Sequence, residues 1–255
     1  MSKSYSISQN FLTSRILINR LLRLTNINKN DHIIEIGAGK GHITQALAQY
    51  AKSVKAYEID PKICLNLKQK LIENDNVAIV NEDFLKAGLP RTKSYKVFSN
   101  IPFSITTDII RKLLISDNPP EEAWLVMEKG AAKRFCGKPS ESLMSLQLKP
   151  FFDLRIEYYF KRTDFHPMPS VDTVLLHFSR KKLPDIGCRE RQAYLNFISH
   201  SFKNGLYGRK ALLTSRQISQ ALRRANLPQI EPSGTILYIQ WLCLFRCING
   251  PSRDR

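Results

Sequence analysis

Along the first 180 residues, short apolar runs alternate with amphipathic stretches of helical period. His32-Ile-Ile-Glu-Ile36 reads as a buried strand that runs into the glycine turn Gly37-Ala-Gly39-Lys-Gly41. A helix follows to about Tyr50, with Ile43, Leu47 and Tyr50 near one face. Val54–Tyr57 predicts a second strand, and Pro61 stands where the next helix should begin. Val77–Val80 and Tyr95–Phe98 predict strands three and four, Ile105–Ile115 a helix, and Ala123–Met127 a fifth strand. Leu154–Phe160 and Val174–Phe178 read as two late strands around a proline-rich turn, with no long helix between them. Alternating strands and helices imply an α/β fold with a parallel sheet covered on both faces, and the late pair suggests an antiparallel edge.

The pattern changes after Lys181-Lys-Leu-Pro184-Asp-Ile-Gly187. Tyr194, Phe197, Ile198 and Phe202 recur at helical spacing, as do Ile218, Ala221, Leu222 and Ala225, and a last apolar helix spans about Ile236 to Phe245. The expected organisation is an α/β domain over residues 1–180 and a small helical domain over 181–255, with a frayed tail from Asn249.

Charge sharpens this division. The 255-residue chain carries a formal net charge of +17. Residues 1–180 hold 26 Lys+Arg against 18 Asp+Glu, whereas 181–255 hold 13 against 4, so the shorter segment carries +9. Such a field attracts polyanions, nucleic acid first among them; a basic surface kept for solubility is the plainer reading. The longest near-apolar run, Ile236–Phe245, contains Gln240 and is too short to span a bilayer, and the first eight residues have no apolar h-region. A soluble, cytoplasmic protein is expected. The five cysteines are scattered and odd in number, which argues against a disulfide framework. Cys243 and Cys247 would share a helix face, but no second ligand pair follows at zinc-site spacing, so no metal is expected.

The candidate chemistry sits at strand ends. Gly37 and Gly39 lie at a strand-to-helix turn, where glycines let a backbone approach a ligand, although a plain tight turn would also account for them. Glu58, 17 residues after Gly41, falls at the tip of strand two, where a carboxylate can accept both ribose hydroxyl protons. Asp83-Phe84 follows strand three and suits an adenine amine and ring. The spacing is G-x-G-x-G rather than G-x-G-x-x-G, which favours an adenosine ligand over a dinucleotide. Asn100-Ile101-Pro102-Phe103 follows strand four. An adenine N6 amine is a poor nucleophile, and the Asn100 amide oxygen with the Ile101 carbonyl could accept both its protons while Phe103 stacks on the base. A strand-capping Asx turn is the alternative.

Six blocks carry a family resemblance: Ser8-Gln9-Asn10-Phe11-Leu12, Glu35–Gly41, Glu58-Ile59-Asp60, Asp83-Phe84, Asn100–Phe103 and Asp164-Phe165-His-Pro-Met-Pro-Ser-Val-Asp172. Together they resemble the rRNA adenine N6-dimethyltransferases, from Ser8 to about Arg180 and more loosely beyond. Gly-Ala-Gly and Ile101 make the chain most similar to the erythromycin-resistance (Erm) methyltransferases acting on 23S rRNA. The resemblance implies a Rossmann-like methyltransferase fold, S-adenosylmethionine as donor, a monomer, a target adenine swung out of its stack, and resistance to macrolides, lincosamides and streptogramin B. It places Asn10 and Leu12 over the methionine part of the donor, with Gly37 lining that crevice. It places Glu58 at the ribose, Asp83 and Phe84 at the adenine, and Asn100 between donor and target amine. Phe165 would pack near the flipped base, and Thr107, Arg111, Lys133 and Arg134 would face RNA. Phe103 stands where many members have Tyr. Phe11 and Leu12 could instead be core residues anchoring the N-terminal arm, Phe165 could plug a strand end, and Lys133-Arg134 and Arg223-Arg224 could be solvated helix faces. The small-subunit rRNA dimethyltransferases share this chemistry, and a methyltransferase fold reused only to bind nucleic acid is a second class. An NAD oxidoreductase lacks a recognisable hydride-acceptor site.

Overall fold

The computed structural model describes residues 10–231 and 234–249. Ser8, Gln9 and the tail from Gly250 therefore lie outside the described residues. The first elements are β1 (Phe11–Leu12), α1 (Arg15–Arg23), β2 (His32–Ile36), α2 (His42–Tyr50), β3 (Ser53–Glu58), α3 (Pro61–Lys70) and β4 (Val77–Asn81). They are followed by β5 (Lys96–Asn100), α4 (Thr106–Leu114), β6 (Glu122–Glu128), α5 (Lys129–Phe135), α6 (Leu143–Leu148), β7 (Phe152–Tyr159), β8 (Phe165–His166) and β9 (Thr173–Arg180). Three helices close the chain: α7 (Arg191–Asn204), α8 (Ser215–Arg224) and α9 (Tyr238–Asn249). The strands and helices read from the sequence are present within a few residues of their expected bounds. Helix α1 was not expected, although its Ser14 cap and its buried Ile18, Leu21 and Leu22 are an ordinary helical signal.

The seven-stranded sheet runs β4-β3-β2-β5-β6-β9-β7. Its first five strands are parallel, and β9 pairs antiparallel to β6, the edge that the late strands suggested. Central β2 is buried from Ile33 to Ile36 because helices cover both faces of a parallel sheet. After β2 the chain winds outward to β3 and β4, then returns across the sheet to β5. That reversal puts a crevice between the carboxyl ends of β2 and β5. Backbone pairing between them is confined to Ile33–Lys96 and Ile34–Val97. Above it the fully buried Ser99 hydroxyl accepts from the Ile36 N–H at 3.1 Å and donates to the Ile36 carbonyl.

The chain divides into two compact units. The first takes the described residues through Ala132 with Asp153–Arg180, and the second takes Lys133–Phe152 with those from Lys181 onward. The expected α/β domain over 1–180 is corrected accordingly: Lys133–Phe152 belongs to the helical unit. Its Leu146 lies in one core with Ile186, Tyr194, Phe197, Ile198 and Phe245, and the Leu146 carbonyl accepts from the Tyr194 hydroxyl at 2.8 Å. Two expected helix-face residues also fall outside that core. Phe202 is exposed, and Ala225 is the exposed C-cap of α8.

The antiparallel edge is fastened by a polar row across three strands. His177 on β9 bonds Glu122 on β6 through Nε2 and Glu157 on β7 through Nδ1 at 3.0 Å, while its ring stacks on Trp124 at 4.7 Å. Burial pushes the Glu122 carboxyl upward, but the hydrogen bond and charge of His177, with Ser179 and Asn26, outweigh it and hold the group below its ordinary 4.5. A carboxyl depressed in the folded state stabilises above its unfolded pKa, and that stability is lost as pH falls through the folded value. Wild type should therefore exceed Glu122→Gln in stability by most at neutral pH, with the gap shrinking as pH drops below about 4.5. Denaturant unfolding between neutral pH and about pH 3 measures this, and a gap that stays constant would contradict it.

Candidate active site

An open cleft lies over the carboxyl ends of β2, β3, β4 and β5. Asn10, Gly37, Gly39, Glu58, Asp83, Phe84, Asn100, Ile101 and Phe103 all line it, so most of the residues expected from the sequence meet in one place. Each main polar side chain there is oriented by backbone groups.

Glu58 ends β3 and is 2% exposed. Its Oε2 accepts the Gly39 N–H at 2.9 Å and its Oε1 the Asp60 N–H at 3.0 Å. Each carboxylate oxygen has a further lone pair, so the group can still accept two hydroxyl protons from a ligand. Asp60 in turn caps α3, accepting from the Lys62 and Ile63 N–H groups, with Pro61 in the first turn. Asp83 Oδ1 accepts the Leu85 N–H at 2.9 Å, which leaves its other oxygen for a ligand amine. Phe84 packs its ring edge-on against Tyr57 at 5.3 Å, forming an apolar wall.

Asn100 ends β5. Its Nδ2 donates to the Asn10 carbonyl at 2.6 Å. A backbone carbonyl can only accept, so the amide nitrogen must face Asn10, and Oδ1 is left for an external donor. Pro102 is extended, and a short 3-10 turn at Phe103–Ile105 leads into α4, holding Phe103 half-buried on the cleft wall.

Glu35, which opens the glycine block, is 1% exposed, and its Oε2 has no hydrogen-bond partner among the described residues. Burial pushes its carboxyl up to about 8, opposed by the Thr44 hydroxyl and reinforced by the nearby Glu58 charge. Its burial therefore costs stability progressively as pH rises from the ordinary carboxylate range towards 8.

Leu12 and Phe165 do not line the cleft wall. Leu12 and Phe165 are register partners in the β1–β8 pair, and both are buried in the core, Phe165 against Phe160 at 5.2 Å. Thr107, Arg111, Lys133 and Arg134 are exposed on α4 and α5 and are not part of the cleft wall. Sequence reasoning missed Ile59, an exposed apolar residue on the wall beside Glu58, and Tyr57, Leu85 and Ile105. Ile59 sat within a quoted block, but its exposure follows only from the bend after β3.

The protein's own packing requires a glycine at Gly39. Its φ is +53°, and a Cβ there would lie 2.6 Å from the Phe11 ring. Gly39→Ala should thus destabilise the fold by about 1–2 kcal/mol from the left-handed backbone alone, with further loss from the ring clash. Adding Phe11→Ala should recover only the clash component. Thermal unfolding of the single and double variants tests this, and an unchanged Gly39→Ala protein would refute it.

The sequence matches the family model described as ribosomal RNA adenine dimethylase over residues 1–238. It is 40% identical over 243 residues to an rRNA adenine N-6-methyltransferase of Limosilactobacillus reuteri, covering 95% of this chain and 96% of that one. It is 34% identical over 251 residues to the Ribosomal RNA small subunit methyltransferase A of Streptococcus thermophilus, covering 89% and 84%. Among solved structures, the 23S rRNA methyltransferase ErmE superposes with a TM-score of 0.81 at 27% identity, covering 94% of this chain and all of that one.

Proposed function

The chain belongs to the ribosomal RNA adenine dimethylase family, and on that premise we propose that it dimethylates N6 of one adenine in 23S rRNA. S-adenosylmethionine is the donor in this reading, and resistance to macrolides, lincosamides and streptogramin B is the consequence. The observation that carries the proposal is Asn100, whose amide oxygen is left free by the Asn10 contact on the same cleft wall as Glu58, Asp83 and Phe103. The likeness to the 23S rRNA methyltransferase ErmE supports a large-subunit target.

When bound, the donor supplies an electrophilic methyl on a sulfonium and departs as a neutral thioether. Glu58 accepts the ribose hydroxyls, Asp83 the adenine amine, and Phe84 covers the adenine ring. Asn10 and Gly37 border the remainder of the donor. The target adenine leaves its stack and lies on Phe103. Asn100 Oδ1 and the Ile101 carbonyl then accept the two protons of its amine, aiming the nitrogen lone pair at the methyl. The proton released on methylation passes to water, so no histidine is required. Exposed Arg111, Thr107, Lys133 and Arg134 meet RNA phosphates in this reading, and the protein acts as a cytoplasmic monomer. Among the described residues, no helix is long and apolar enough to cross a membrane.

Expression in a drug-sensitive bacterium, followed by mapping of N6-methylated adenines in both ribosomal RNAs, tests the target. A new dimethyladenine in 23S rRNA together with macrolide resistance is expected. Methylation confined to the small subunit would overturn the large-subunit reading. In single-turnover assays, Asn100→Ala should slow transfer by about two orders of magnitude, comparable to losing one preorganised polar contact in an active site. Its fold should persist, because the residue stands at a strand end and is only half-buried. A folded Asn100→Ala enzyme working at the wild-type rate would remove Asn100 from the mechanism.

A further inference from the structure

Helix α4 follows the Asn100–Phe103 turn and buries Ile109, Ile110, Leu113 and Leu114. Arg111 is exposed on it, but the neighbouring Lys112 is turned into the protein. Lys112 Nζ donates to the Leu85 carbonyl at 3.0 Å and to the Ala87 carbonyl, and lies 5.6 Å from the centroid of the Phe84 ring. Residues 83–87 form a tight turn in which the Lys86 and Ala87 N–H groups donate to the Asp83 carbonyl at 2.9 and 3.1 Å. Its last carbonyls have no strand or helix to continue into, and an ammonium satisfies them as lysines do at helix C-termini. The same turn presents Asp83 and Phe84 to the cleft.

We propose that Lys112 is a positioning residue for the donor's adenine, holding the Asp83–Ala87 turn from behind so that Asp83 and Phe84 keep their places on the cleft wall. This rests on the donor reading given above. One ammonium engages three residues of the turn: two through their carbonyls, and Phe84 through its ring face. Lys112 does not line the cleft and acts only through the turn. A neutral side chain of similar length would fill the space but leave both carbonyls without their charged donor.

The test uses the full chain and two donor-product ligands that differ only at the position Asp83 reads. These are S-adenosylhomocysteine and S-inosylhomocysteine, in which a carbonyl replaces the 6-amino group. Calorimetry on wild type should show a preference for the adenosyl ligand. In Lys112→Met, affinity for the adenosyl ligand should fall about tenfold or more, as for lost charge-assisted contacts that preorganise a site. Affinity for the inosyl ligand should fall less, so that the preference narrows. The donor KM should rise more than kcat at saturating donor falls. Lys112→Arg should keep the preference, since a guanidinium can also cap two carbonyls. Unchanged binding in Lys112→Met, an equal loss for both ligands, or an arginine variant as impaired as the methionine one would overturn the proposal. Wild type that binds neither ligand would overturn the donor reading itself, and this inference with it.

Discussion

The parting of β2 from β5 is the constraint on which the catalytic unit depends. Two parallel strands that stayed paired to their ends would close the crevice, and two that simply separated would leave buried backbone groups without partners. Ser99 resolves this with one side chain. A hydroxyl both donates and accepts, so it satisfies the Ile36 N–H and carbonyl together while keeping the strands a side chain's width apart. Meanwhile β5 stays in register with β6 as far as Asn100 opposite Val126. The residue after Ser99 therefore reaches the cleft at the end of a strand held firmly on its other edge.

The N-terminal arm completes the wall from the other side. Phe11 and Leu12 pair with His166 and Phe165, which ties the arm to the β7–β9 side of the unit. From that anchorage Phe11 covers Gly39 and the Asn10 carbonyl reaches Asn100. The absence of a side chain at Gly39 thus answers to the packing of an aromatic ring within the protein. Gly41 has a similar constraint on the helix side, where a Cβ would meet Leu67 at 2.3 Å and φ is +77°. A glycine-rich turn in this position is set by packing on two sides before any ligand is considered.

Much of this was legible in the sequence, for identifiable reasons. The buried central strands are short, mostly apolar runs, and Glu58, Asp83 and Asn100 stand at or just after their ends, so topology alone brings them together. The core packing of Leu12 and Phe165 was not legible because motif position says nothing about which way a two-residue strand turns its side chains; that depends on a partner about 150 residues away. The passage of Lys133–Phe152 to the helical unit was hidden because no shift in charge or composition marks Ala132 or Asp153. Its evidence is a packing relation, Leu146 among the residues of α7 and α9. Lys112 was overlooked for a similar reason. A lysine beside an arginine on an amphipathic helix reads as surface, and only the three-dimensional turn at Asp83–Ala87 supplies its partners.

One rule unites the polar groups of the cleft. Glu58 is held by two backbone N–H groups, Asp83 by one, and Asn100 by a backbone carbonyl. In each case the partner belongs to a turn or arm that leaves regular secondary structure, where main-chain groups have no ladder to join. Those spare groups fix the cleft's polar side chains, and the side chains in return satisfy the spare groups. Each residue is thereby half-saturated, with one hydrogen-bonding direction spent on the backbone and another turned to the cleft. A group fixed in this way has little orientational freedom left to lose when it meets charge or a proton, which is the physical content of preorganisation. Asn100 shows the sharpest form of it. An amide can be reversed end for end at almost no steric cost, and only the Asn10 carbonyl decides that oxygen, rather than nitrogen, is presented.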